Sequence, residues 1–173
     1  MNAICYLALG SNVGNRQGFL QAARTAIAGL RQTRILDCSQ DHLTRPVGGP
    51  AGQNDYLNAA LKIETTYPPQ ELLEQLLAIE QMLGRNRMVE GRNGPRTIDI
   101  DILFYNDIIY TSSQLTIPHP RMDQRAFVLM PLCDIAPDLI HPVLGCPISL
   151  LAARCYAGGY ARIDQTTDLQ EIL

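Results

Sequence analysis

Asp99 and Asp101 stand two apart in TIDIDILFY (97–105), a run whose alternation reads as a β-strand. Side chains two apart on a strand share a face, about 6.5–7 Å from each other along it. Ile98, Ile100 and Ile102 then take the opposite face, toward a core. Two carboxylates on one face of what reads as a central strand repel each other and lose hydration, and a divalent cation between them relieves both costs. Such hard oxygen donors suit Mg²⁺, which takes one or two carboxylates and completes its shell with phosphate and water. An isolated Asp-x-Asp is more often a solvated strand face, so the segment before it has to decide.

That segment concentrates the opposite charge. Arg85, Arg87, Arg92 and Arg96 fall within twelve residues and are opposed only by Glu90. Gly84, Gly91 and Gly94 make the backbone pliant, and Pro95 fixes the entry to the strand. An arginine-bearing loop leading into paired carboxylates is what triphosphate chemistry asks for: a cation to neutralise phosphate oxygens, guanidinium groups to stabilise developing charge, and a closing loop to exclude water. His119 lies in the stiff segment IPHP, where an imidazole faces a nucleotide or serves structure equally well. Arg125 and Phe127 follow on an expected short helix. Tyr56 and Asn58 share one face of a strand, an aromatic beside an amide, which suits a flat heterocycle as well as a half-buried sheet. Glu80 sits near a helix C-terminus, where the dipole disfavours an anion, so it has either a task or an accidental surface position. The segment GSNVGN (10–15) lacks the Lys-Ser/Thr of a phosphate loop and reads as a turn with a helix cap.

The elements that must position these groups follow a simple order. A short apolar strand over 3–9 leads to a helix capped by Asn12 or Asn15 and running to about Arg31, with Phe19, Ala23, Ile27 and Leu30 as its apolar stripe. A second strand is expected over 35–43, then the breaker-rich loop RPVGGPAGQ, then a third strand over 56–65. Pro68 and Pro69 open a second helix, Gly84 closes it, and Leu72, Leu73, Leu76, Leu77, Ile79 and Leu83 give it a broad buried face. With the strand over 97–105 the order is β-α-β-β-α-β, the split unit of a ferredoxin-like α+β fold: an antiparallel sheet with helices on one face. The proline-punctuated remainder is a C-terminal extension, with short helices near 122–128 and 149–157. No linker divides the 173 residues, and one domain is expected.

Bulk properties narrow the class. The net charge of −3 argues against a general nucleic-acid binder, although thirteen of the fourteen cations are arginine, the side chain suited to bidentate phosphate recognition. Five scattered cysteines without a CxxC pair indicate reduced thiols rather than zinc or a disulfide framework. The N-terminal segment has no basic region and too short an apolar run for a signal peptide, and no stretch approaches a membrane span, so a cytoplasmic protein without membrane or nucleic-acid partners is expected. From the residues alone the chain reads as a Mg²⁺-dependent enzyme using ATP on a small acceptor, or as a non-catalytic nucleotide-binding module. The aspartate pair speaks against the second.

LALGSNVGNR (7–16), DYLNAA (55–60), GPRTIDIDILFY (94–105) and IPHPRMDQRAFVLMPLCDIAP (117–137) together resemble the 6-hydroxymethyl-7,8-dihydropterin pyrophosphokinases of folate biosynthesis. The resemblance extends over about residues 4–140 and implies the same ferredoxin-like fold. It implies that ATP gives its β,γ-pyrophosphoryl group to the hydroxymethyl of the pterin, yielding AMP and the pterin diphosphate, in a chain read as a monomer. By position, Asp99 and Asp101 would hold two Mg²⁺ ions. Arg85 and Arg92 would lie in a mobile catalytic loop, Arg92 aiding transfer, with Arg87 and Arg96 toward phosphate. His119, Arg125, Thr116 and Ile102 would meet ATP. Tyr56 and Phe127 would sandwich the pterin, and Asn58, Thr44 and the backbone near Val47 would hydrogen-bond it. Asn93, Gln114 and Pro120 depart from the residues often found at these places in the family.

Overall fold

A computed structural model describes residues 2–86 and 94–157. Five strands form one antiparallel sheet: β1 (Ala3–Ser11), β2 (Thr33–Cys38), β3 (His42–Thr44), β4 (Tyr56–Thr65) and β5 (Asp99–Tyr105). The order is β2-β4-β1-β5, and β3 pairs with the start of β4 on the same side as β2. A small ribbon, β6 (Tyr110–Thr111) with β7 (Thr116–Ile117), lies beyond β5.

Two helices cover one face. α1 (Arg16–Ala28) starts at Asn15, whose side-chain oxygen accepts from Gly18 N at 3.0 Å. Its buried stripe is Leu20, Ala23 and Ile27, so Leu20 takes the central place expected of Phe19. Residues 20, 23 and 27 keep the 3-and-4 spacing of a single face, and Phe19 falls at its margin. α2 (Pro69–Met82) has the expected limits, and Gly84 beyond it takes φ +86°, the left-handed conformation that ends a helix without a Cβ clash. Leu72, Leu76 and Ile79 pack with Leu7, Leu61, Ile63, Ile98, Ile100 and Ile102 into the main core.

The C-terminal extension covers part of the other face. A 3₁₀ turn (Met122–Gln124) leads into α3 (Ala126–Ile135), and α4 (Ile148–Ala157) packs beside them. α3 outlasts the short helix expected over 122–128. It carries Pro131 inside it, and its apolar residues Val128, Leu129 and Leu132 are buried against Tyr6, Ala60, Leu103 and Phe104. Burial of that face outweighs the lost backbone hydrogen bond.

Two strand expectations need correction. The single strand expected over 35–43 is broken into β2 and β3: Ser39 N still donates to Ala60 O at 3.0 Å, but its side-chain oxygen takes the return hydrogen bond of Ala60 N at 2.8 Å. β5 is an edge strand rather than a central one, paired only to β1 in the main sheet. Its register to β1 shifts between Tyr6 and Leu7, leaving Leu103 as an extra residue, and the Leu103 carbonyl accepts His119 N at 3.1 Å. The bulge thus turns the free edge into the seat of the His119 segment. None of the described helices is long and apolar enough to cross a membrane.

Candidate active site

β5 places Asp99 and Asp101 on the face away from α1 and α2, at the floor of a cavity of about 270 Å³. Opposite them on β1 lie Gly10 and Ala8, the register partners of Asp99 and Asp101. These two small residues make room for the acids. Gly10 also faces Asn58 of β4 in register, and a Cβ at Gly10 would stand 2.9 Å from Asn58 Oδ1. The close approach, not backbone freedom, demands glycine here. The small residues Ala8 and Gly10 at strand period were a legible signal that sequence reasoning passed over.

The two carboxylates have unlike surroundings. Asp99 is gripped by the guanidinium groups of Arg85 and Arg96. Burial opposes its ionisation, yet the two cations and their hydrogen bonds hold its pKa below the usual value. The Asp101 carboxylate has neither ion pair nor hydrogen bond among the described residues. Burial, then the charges of Asp99 and Glu80, push its pKa up to about 7 against the weaker pull of Arg125 and Arg85. One acid is neutralised by protein, and the other lines the cavity without a direct ion pair among the described residues. Such a donor pair fits a hard divalent cation that takes its other ligands from phosphate and water. No cluster of three or more His, Cys, Asp or Glu capable of holding a metal exists among the described residues.

Glu80 turns out to be the support for this arrangement. It is 1% exposed, and its Oε1 accepts from Ile100 N at 2.7 Å and from Arg85 Nη1 at 2.5 Å. The adverse helix-end position is therefore the sign of a task, since the carboxylate ties α2 to β5 between the aspartates and aims Arg85 at Asp99. Asn12, wholly buried, does the same for Arg96. Its Oδ1 accepts from Arg96 N at 2.8 Å, and its own N donates to Arg96 O at 3.2 Å.

The cavity wall holds the remaining groups. Tyr56 and Phe127 both line it, from β4 and from the first turn of α3, together with Thr44, Val47 and Asn58. Asn58 Nδ2 donates to Thr44 Oγ1 at 2.8 Å, and Tyr56 hydroxyl donates to Gly94 O at 3.2 Å. The guanidinium of Arg96 lies 5.9 Å from the Tyr56 ring centre, and that of Arg125 lies 5.6 Å from the ring of Phe127. Arg45 and Arg121 also line the cavity, and sequence reasoning missed both. Each adjoins a proline in a segment already singled out, RPVGG and PHPR, which was the available signal.

His119, Thr116 and Ile102 lie outside that lining. Burial, then the cations Arg125 and Arg121, push the His119 imidazole down to about 4, so it is neutral at physiological pH. Its Nδ1 accepts from Arg121 N at 3.3 Å, which leaves the proton on Nε2 as a donor. Thr116 sits on β7, and Ile102 is 3% exposed, buried in the main core. Arg87 and Arg92 fall outside the described residues.

The profile of the 7,8-dihydro-6-hydroxymethylpterin-pyrophosphokinase (HPPK) family matches residues 6–137. The chain is 44% identical over 137 residues to the 2-amino-4-hydroxy-6-hydroxymethyldihydropteridine pyrophosphokinase of Haemophilus influenzae, covering 79% of this chain and 84% of that one. It is 41% identical over 148 residues to the folic acid synthesis protein fol1 of Pneumocystis carinii, covering 86% of this chain. It spans only about a fifth of that fungal protein, 20% of its length. A crystal structure of Plasmodium falciparum HPPK-DHPS superposes with a TM-score of 0.71 at 16% identity, over 89% of this chain and 42% of that one. That last likeness shows the fold.

Two outcomes follow from the geometry. Asp101 has a raised pKa in the folded chain, so the stability it lends is whole below the ordinary carboxylate range and is lost as pH rises through about 7. Asp101→Asn, with chelator present, should therefore melt higher than the unchanged protein at pH 8, with a smaller gap at pH 5. Thermal unfolding at the two pH values checks this; equal midpoints at pH 8 contradict it. Gly10→Ala should cost about 1–3 kcal/mol, as overpacking does, by driving Asn58 off Thr44; denaturant unfolding that matches the unchanged protein would refute the packing argument.

Proposed function

The chain belongs to the 7,8-dihydro-6-hydroxymethylpterin-pyrophosphokinase family, and from that premise we propose that it transfers pyrophosphate from ATP to 6-hydroxymethyl-7,8-dihydropterin in folate biosynthesis. One observation carries the proposal: an acid pair ringed by arginines forms the floor of the same cavity whose wall offers two aromatic rings, an amide and a hydroxyl. Phosphate and a flat hydrogen-bonding ring are thereby accommodated side by side.

In this reading Tyr56 and Phe127 hold the pterin by its faces, and Asn58 and Thr44 read its polar edge. Val47 offers its backbone from the loop beside Thr44. Asp99 and Asp101 would hold Mg²⁺, with two ions expected, and the bound cations would neutralise phosphate oxygens as charge builds on them. Arg96, Arg121 and Arg125 orient the triphosphate, and neutral His119 donates from Nε2. Arg85, locked between Glu80 and Asp99, keeps the floor in place. Arg87 and Arg92 are proposed to serve the phosphates from the loop, with Arg92 acting in the transition state. The hydroxymethyl oxygen attacks the β-phosphorus of ATP. The bond from that phosphorus to the α,β-bridging oxygen breaks, AMP departs, and the hydroxyl proton is released. Because positioning and electrostatics dominate such transfers, no strong protein base is needed.

Product analysis tests this. The chain incubated with ATP, Mg²⁺ and 6-hydroxymethyl-7,8-dihydropterin should yield AMP and the pterin diphosphate in equal amounts. ADP as the sole nucleotide product would replace pyrophosphoryl transfer by simple phosphorylation. Arg92→Ala should lower kcat far more than it weakens the binding of either substrate. A loss confined to binding would remove Arg92 from the transition state.

A further inference from the structure

We propose that His42 and Asp134 form a clamp that sets the spacing between the two walls of the ring-binding cavity, making them positioning residues for the flat substrate. The proposal rests on the pterin reading above and adds to it two residues that do not line the cavity.

The side chain of His42 is 6% exposed, and its Nε2 lies 2.7 Å from Asp134 Oδ2. The same carboxylate oxygen accepts from Gln40 N at 3.3 Å. His42 belongs to β3, where it pairs with Asn58, and Thr44 two residues on pairs with Tyr56. Residues two apart on a strand, and residues directly opposed across a ladder, project from the same face. His42, Thr44, Asn58 and Tyr56 therefore form one patch, and three of the four line the cavity.

α3 lies over this patch. Asp134 is in its last turn, and Phe127, in its first, stands seven residues earlier. Seven residues are close to two turns, so the two side chains leave the helix on one side, about 10 Å apart along its axis. The helix is thus pinned to β3 at one end and presents an aromatic wall at the other. An acidic side chain in a last turn opposes the helix dipole, so Asp134 depends on the partners that β3 and its approach supply. β3 depends on the contact in turn. It has three residues, is cut off from β2 by the break at 39–41, and pairs only with β4. A lever of this kind carries a shift at His42 to both Thr44 and Phe127 while leaving the acid pair on β5 untouched.

The test compares equilibrium binding of 6-hydroxymethyl-7,8-dihydropterin and of a non-hydrolysable ATP analogue with Mg²⁺, in the full chain. The variants are His42→Ala, Asp134→Ala, their combination, and His42→Gln, whose amide retains a donor toward the carboxylate. Each alanine variant should weaken pterin binding about tenfold, the order that a small displacement of a binding wall costs. Binding of the ATP analogue should stay within about twofold, and the combined variant should be no worse than the poorer single one, the mark of one shared interaction. His42→Gln should restore most of the affinity, and the KM for pterin should rise with kcat changing less. Folded variants that bind pterin as the unchanged chain does would remove the clamp alone. Equal loss of both ligands, or losses that add in the combined variant, would reduce the pair to general stability. Should His42→Ala fail to fold, Asp134→Ala, which breaks the contact from its more exposed side, carries the same comparison. An unchanged chain that binds no pterin would overturn the functional reading itself.

Discussion

Two carboxylates share a mostly buried floor two residues apart, and much of the architecture around them follows from keeping one ionised and the other accessible. Asp99 is ion-paired with Arg85 and Arg96, and each arginine is itself held: Arg85 by Glu80, and Arg96 by Asn12. Glu80 in turn caps the Ile100 backbone between the aspartates, so the end of α2 and the start of β5 are one electrostatic unit. Breaking such a buried pair leaves an uncompensated charge, which costs far more than the pair contributes when intact. The consequence for Asp101 is a carboxylate on the cavity floor that burial and the neighbouring Asp99 and Glu80 hold toward its neutral form; in the proposed function it would take a cation.

The cavity above this floor is built from two independent parts of the fold. The sheet contributes Tyr56, Asn58 and Thr44, whose places are set by the β3–β4 ladder. The C-terminal extension contributes Phe127 and Arg125 from the start of α3, a helix that packs on the sheet face left bare by α1 and α2. A βαββαβ core alone would leave this face open, so the extension is a structural part of the site. The contact between His42 and Asp134 is where the two parts meet through a hydrogen bond as well as through apolar packing.

Much of this was legible in the chain. The alternation in TIDIDILFY put both aspartates on one face and the isoleucines on the other, and β4 and α2 have the limits that their flanking turns and prolines indicate. The failures have physical reasons. Periodicity reports which face is buried but not which neighbours a strand has, so the pattern of β5 fits a central strand as well as the edge strand it is. The break after Cys38 depends on a serine side chain standing in for a ladder acceptor, which no pattern announces. Glu80 was suspected because a carboxylate at a helix end is unfavourable, yet its partners lie 5 and 20 residues ahead and only the fold joins them. Gly10 reads as a turn residue until β4 brings Asn58 against it.

In the proposed function, a divalent cation entering with the triphosphate completes the electrostatics of this floor. Counting bound Mn²⁺ by electron paramagnetic resonance, in the presence of a non-hydrolysable ATP analogue, tests it directly. Protein-dependent Mn²⁺ binding is expected in the unchanged chain, and its loss in Asp101→Asn. Equal binding in both would show that Asp101 holds no metal, and would contradict its place as a ligand.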